Sequence, residues 1–205
     1  MARGIVTKKP GGVGNGRLIT SEIIADPTGR MANIPPGYAV EFIADIAPEI
    51  GDVVDFTYDP TTGMGTDLKP AGHADVYSGE ETLDLDIVKG QYVLLSGAKI
   101  EGGINIDGGF LAIANSSSFS GKIKGITANS TIIVNGSTTE GKIESNNGGF
   151  LVMDTVNKTG KITSTGNAYT SVQNCTIAGK LEVLKATQCI LKNNTVQGQT
   201  NTDCK

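Results

Sequence analysis

The chain has 205 residues, a net charge of −4 and 28 glycines, but no tryptophan and only five tyrosines and five phenylalanines. That composition suits one domain or two small ones with aliphatic cores and many turns, and it excludes long helices as the dominant element. The charge is unevenly placed: residues 1–80 carry six basic and eleven acidic side chains, and residues 81–205 carry eleven basic and ten acidic. Neither half offers the broad basic field that a generic nucleic-acid binder needs.

Residues 1–78 read as five short strands: GIVTKKP, GRLITSEII, YAVEFIADI, DVVDFTYDP and HADVYS. Glycine- and proline-containing stretches separate them, and apolar residues alternate through Val40-Phe42-Ala44 and Val54-Phe56-Tyr58. Five strands in so short a span predict a small closed barrel of the OB type. The opening GIV (Gly4 to Val6), GRLI (Gly16 to Ile19), VEF (Val40 to Phe42), GDVVDF (Gly51 to Phe56) and ADV (Ala74 to Val76) fall in the order seen in cold-shock-like OB domains, which this block resembles. That resemblance implies single-stranded nucleic-acid binding, with Phe42 at an aromatic position of the family and Arg17 and Leu18 where stacking aromatics would stand. Arg3, Lys8, Lys9, Arg17 and Arg30 are the basic residues available for such a role. Because stacking contributes about 1–3 kcal/mol per base, the missing aromatics disfavour it.

Residues 79–205 follow a different rule. Glycines stand at 102, 121, 141, 160, 179 and 198, and the phrase GKI recurs, as in TEGKIESNNGGFLVMDTVNKTGKI. Two aliphatic columns share the period: Ile104, Ile123, Ile143, Ile162 and Leu181, and then Ile113, Val134, Met153, Val172 and Leu191. A polar column of Asn115, Asn135, Asp154, Asn174 and Asn193 lies beyond the second, where a corner would use the tolerance of Asn for left-handed backbone. Columns at one repeat length are what a coil of stacked parallel strands requires, whereas a helical hairpin does not fit into nineteen residues rich in Gly, Asn, Ser and Thr. The fold class expected is all-β: a five-stranded OB-like barrel followed by a right-handed parallel β-helix (β-solenoid) of about six 19-residue turns. The IEGGI (Ile100 to Ile104) and GKI phrases resemble the bactofilins, polymer-forming bacterial scaffold proteins with a β-helix core. That likeness implies self-association.

Candidates for chemistry are few. His73 is the one histidine, which excludes three-histidine metal sites and leaves a hydrogen-bonded surface role. Asp84 and Asp86, two residues apart on a strand, share a face but read as a solvent stripe alternating with Leu83, Leu85 and Ile87. The segment GGVGNG (Gly11 to Gly16) lacks the Lys-Ser or Lys-Thr of a phosphate loop and precedes a strand, so it reads as a hairpin turn. Lys122, Lys142, Lys161 and Lys180 occupy one slot on successive turns, a basic ladder able to contact an anion unless Glu144 and Glu182 neutralise it. Cys175, Cys189 and Cys204 predict no disulfide framework and fit a reducing compartment.

No catalytic, metal or cofactor site is expected. The expected function is a non-enzymatic structural or interaction protein that associates with itself through the β-helix, with no transmembrane segment and a cytoplasmic location. The alternatives are nucleic-acid binding through the barrel and a phage- or secretion-type spike component, which would place the chain on a surface or a virion. One further expectation is that the barrel caps the first turn of the coil.

Overall fold

The computed structural model describes residues 1–11, 15–25, 33–44 and 47–204, and its described residues contain strands and no helix. They form two compact units, Met1–Val76 and Tyr77–Lys205.

The first unit is a closed barrel of β1 (Ala2–Lys8), β2 (Gly16–Thr20), β3 (Ala39–Phe42), β4 (Asp52–Asp59) and β5 (Met64–His73). The order around the barrel is β1-β2-β3-β5-β4, with one parallel pair, β3 with β5, and antiparallel pairs elsewhere. This is the five-stranded OB-like closure expected from the sequence. Val6, Leu18, Val40, Phe42, Val54 and Phe56 fill its interior. Gly16 is required there, because a Cβ at that position would lie 2.3 Å from the Phe42 ring.

The fifth strand is a correction to the sequence reading, which placed it at HADVYS. Met64–His73 takes that place, returning from β4 through a turn whose Asp59 carboxylate accepts bonds from the Thr61 N–H and the Thr62 hydroxyl, both at 2.8 Å. Gly65, Pro70 and Gly72 interrupt any alternation in this segment, and the β4–β5 register shifts twice to accommodate it. The strand Asp75–Thr82 pairs instead with the long strand Tyr92–Asp107 of the second unit.

The second unit is a parallel β-solenoid of about eight turns spaced about 19 residues apart, rather than the six expected. The six turns read from the sequence include the one opening at Leu83; the strands Asp75–Thr82 and Thr200–Thr202, at either end, depart from the recurring phrase and were not counted. Leu85 opens the first aliphatic column, and Thr200 closes it where isoleucine or leucine stands in the turns between. Within that column Leu85, Ile104, Ile123, Ile143, Ile162, Leu181 and Thr200 stack in register. The second column runs Leu95, Ile113, Val134, Met153, Val172 and Leu191, also in register. A third inward column was not read from the sequence: Ile100, Phe119, Thr139, Thr159, Ile177 and Val196. Its strands are as short as two residues and its middle members are threonines, which pair with each other (Thr139 Oγ1 to Thr159 Oγ1, 2.9 Å) in the buried interior.

The glycine column has a steric cause. A Cβ on Gly121, Gly141 or Gly160 would lie 1.8, 1.6 or 2.0 Å from the carbonyl oxygen of the glycine one turn earlier. The turns therefore approach so closely at this edge that only glycine fits. Of the polar column, Asn115, Asn174 and Asn193 adopt left-handed backbone, with φ of 55, 54 and 55°, whereas Asn135 and Asp154 do not. Where the spacing differs by one, the left-handed residue is the next one, Gly136 or Thr155.

Candidate functional site

The solenoid's outer columns tie one turn to the next. Asn115 donates to Ser96 (2.9 Å), Asn174 to Asp154 (2.8 Å) and Asn193 to Asn174 (3.2 Å), so the asparagine ladder spends its amides on neighbouring rungs. Asp84 accepts from the Gly103 N–H at 2.6 Å, and Asp86 from the Asn105 side chain at 3.0 Å. These two aspartates are thus bonded to the following coil, and neither is poised as an acid–base partner of the other.

In register, Lys122 opposes Lys142, and the stacked neighbours Ile143, Ile162 and Leu181 place Lys161 and Lys180 in the same slot. Its anions come from the chain itself. Glu144 bridges Lys122 (2.7 Å) and Lys142, while Glu182 pairs with Lys180 at 2.9 Å and lies 4.0 Å from Lys161. The two ammonium groups hold the Glu144 carboxyl down to about 2. Lys180 and then Asn201 lower Glu182 in the same way. Two carboxylates between four lysines relieve the repulsion that a bare column would suffer at a rung spacing of about 4.8 Å.

On the barrel, the residues weighed for nucleic acid do not assemble into a basic platform. Arg3 makes a two-pronged pair with Asp55 (2.8 and 3.1 Å), Arg17 lies 3.7 Å from Glu41, and Lys9 pairs with Glu49. Glu41 is lowered chiefly by the Asn15 side-chain amide and further by Arg17 and Lys8. Phe42 is fully buried beneath Gly16, so its ring cannot stack on a base. Arg30, and residues 12–14 of the GGVGNG turn, lie outside the described residues. Lys8 and Arg17, on either side of that turn, are register partners, as a β1–β2 hairpin requires. His73 Nδ1 sits 2.9 Å from the Asp52 carboxylate, within the exposed surface.

Two features escaped the sequence reading. The first is a polar knot inside the coil. Asn167 Nδ2 donates to Ser145 (2.9 Å) and Ser164 (2.8 Å), and Ser164 and Thr170 share a 2.6 Å bond, with all four residues fully buried. Single Asn and Ser residues in a Gly-, Asn- and Ser-rich repeat carry no signal of burial, so only the fold reveals it. The second corrects the cysteine reading: Cys189 and Cys204 form a disulfide with Cα atoms 5.7 Å apart. The fold brings them together across one coil, a relation that three cysteines at unequal spacing do not announce. Cys175 remains a buried thiol pushed up to about 11, first by burial.

The groove bordered by Glu80, Glu81, Lys99, Glu101, Ser118 and Glu140 has a volume of about 550 Å³. Lys99 pairs there with Glu80, and Lys158 pairs with Glu140 and lowers its carboxyl. Glu140 is therefore held ionised, the opposite of what a general acid requires. Among the described residues, no cluster of three or more His, Cys, Asp or Glu side chains could hold a metal, and no helix is long and apolar enough to cross a membrane.

The strands Gln188–Lys192, Thr195–Val196 and Thr200–Thr202 pair with the preceding turn, and among the described residues no strand is stacked beyond them. On Gln188–Lys192 the burial alternates, and Ile190 faces outward, 41% exposed. Compared with known proteins, the chain matches no family model, no curated protein and no solved structure.

Proposed function

We propose that this chain is a non-enzymatic structural or interaction protein that associates with itself through its β-solenoid. The observation that carries the reading is that the solenoid's outer asparagine and lysine ladders are spent on turn-to-turn bonds and internal ion pairs rather than on a ligand, while the strand Gln188–Lys192 presents Ile190, 41% exposed. The likeness of the repeats to the polymer-forming bactofilins points the same way.

Molar mass by light scattering over a concentration series, with and without reductant, tests the proposal. Ile190→Lys should shift any larger species toward the single chain. A single-chain mass throughout, unaffected by that substitution, would sink it. The nucleic-acid alternative loses support from the ion pairs of Arg3, Lys9 and Arg17 and the burial of Phe42. A trimeric mass would favour the spike alternative.

A further inference from the structure

We infer that Cys189 and Cys204 are an oxidation site, bridged by a disulfide donor that spares Cys175, and that the chain acts outside the reducing cytosol. The inference goes beyond self-association and does not depend on it.

Selection among the three thiols comes from the fold. Cys175 is 2% exposed inside the coil. Its N–H donates to the Asn194 side chain at 3.0 Å, its carbonyl accepts the Thr195 N–H at 2.9 Å, and its thiol donates to the Gln173 carbonyl at 2.9 Å. The following coil therefore seals it from a reagent. Cys189 and Cys204 are only half-buried and pack against the core as Leu191 and Val196 do. Closure of the coil sets their Cα atoms 5.7 Å apart, a separation that a disulfide spans without backbone movement.

The coil that carries them benefits from a covalent link. Leu181 and Val183 are buried, yet their register partners in the following coil are Thr200 and Thr202, both exposed. Less apolar surface is buried at this contact than where isoleucine rests on isoleucine in the earlier turns. A segment held by exposed backbone bonds opens locally at low cost. Linking Cys189 to Cys204, 15 residues apart, restricts the opened chain and offsets that weakness.

Forming the link is a two-electron exchange. The thiolate of one cysteine attacks a sulfur of the donor's disulfide, giving a mixed disulfide and releasing the donor's other sulfur as a thiolate. The second cysteine thiolate then displaces the donor and closes the bridge. One sulfur–sulfur bond forms in the chain as the donor's own breaks. The two cysteines are oxidised, and the donor leaves as a dithiol carrying their two protons. Such bridges form and persist in secreted, periplasmic and surface-exposed proteins, whereas the cytosol keeps thiols reduced. An oxidising compartment thus replaces the reducing one that three cysteines without a framework suggested.

The test follows the full chain in its source cells, and in a bacterial host that either retains it in the cytoplasm or exports it behind a cleaved leader. Cells are quenched in acid and alkylated under denaturing conditions, and the cysteine peptides are weighed. Cys175 should be alkylated everywhere, and Cys189 and Cys204 only in the retained chain. Thermolysin should cut native protein within residues 186–204 about tenfold faster in the retained chain and in the exported chain treated with a dithiol. Exported Cys189→Ser should behave in the same way; if it does not fold, the dithiol-treated chain still decides. Free Cys189 and Cys204 thiols in the source cells, or equal bridging in both host compartments, would overturn the placement outside the cytosol. A bridge to Cys175, or equal thermolysin resistance before and after the dithiol, would overturn the oxidation site itself.

Discussion

Replacing Gly141 by alanine tests the explanation of the repeat most directly. The backbone at Gly141 is not left-handed, so no cost arises from φ and the perturbation is purely steric. The new Cβ would stand 1.6 Å from the Gly121 carbonyl oxygen, and real contacts of this kind do not fall below about 3.0 Å, so the two turns must part by about 1.4 Å. That displacement exceeds what a 2.9 Å hydrogen bond tolerates. The pairs Lys122 with Lys142 and Ile123 with Ile143 adjoin the clash and would weaken first. Two or three ladder bonds at about 1 kcal/mol each give a loss of about 2–4 kcal/mol, reduced by about 0.4–1 kcal/mol because alanine restricts the unfolded chain. Gly179→Ala is the internal control: its nearest neighbour, the Lys161 nitrogen, lies at 3.0 Å, so the neighbour needs only a small shift and the net change should stay within about 1 kcal/mol. Urea unfolding monitored by far-ultraviolet circular dichroism measures both. If Gly141→Ala cost no more than Gly179→Ala, close approach of the turns would not be the reason for the glycine column.

Other expectations follow from the polar interior, the ladder and the cysteines. Asn167→Ala removes the donor shared by Ser145 and Ser164 inside the coil and should destabilise the second unit by about 2–3 kcal/mol; a change below half a kcal/mol in urea unfolding would contradict the buried knot. Glu144 has its carboxyl lowered from 4.5 to about 2 by Lys122 and Lys142, so its contribution is complete above pH 4.5 and disappears as the pH falls toward 2. With screening allowed for, that amounts to about 1–2 kcal/mol, and Glu144→Gln should flatten the stability profile over this window; an unchanged slope between pH 5 and 2.5 would count against the bridge. A chromogenic thiol reagent at pH 8 should find no reactive cysteine in the native oxidised chain, one after denaturation and three after denaturation with reduction. Two or more thiols in the denatured, unreduced chain would remove the disulfide. Single-stranded oligonucleotides at low salt should show no salt-dependent binding to the full chain, and a steep salt slope would revive the nucleic-acid reading.

The amino-acid sequence alone determined the solenoid, because the coil repeats and each rung must satisfy the same constraints. Ile104, Ile123, Ile143, Ile162 and Leu181 lie at one period since each side chain rests on the one below, and the glycines recur since each approaches the same carbonyl. A β-solenoid is thus written into local spacing, and so were its lysine ladder and the two glutamates that neutralise it. Where the chain stops repeating, the signal fades: the end turns were missed, and Met64–His73 was hidden because its glycines and proline obey the register of β4 rather than any pattern of their own. The tertiary structure alone decided which polar groups are inside, as with Asn167, and which cysteines meet. Cys189 and Cys204 are fifteen residues apart in the chain, yet stacking turns one nineteen-residue path back on itself and brings them across the mouth of the coil. Periodicity tells what lies above and below a residue; only closure of the coil tells what lies opposite.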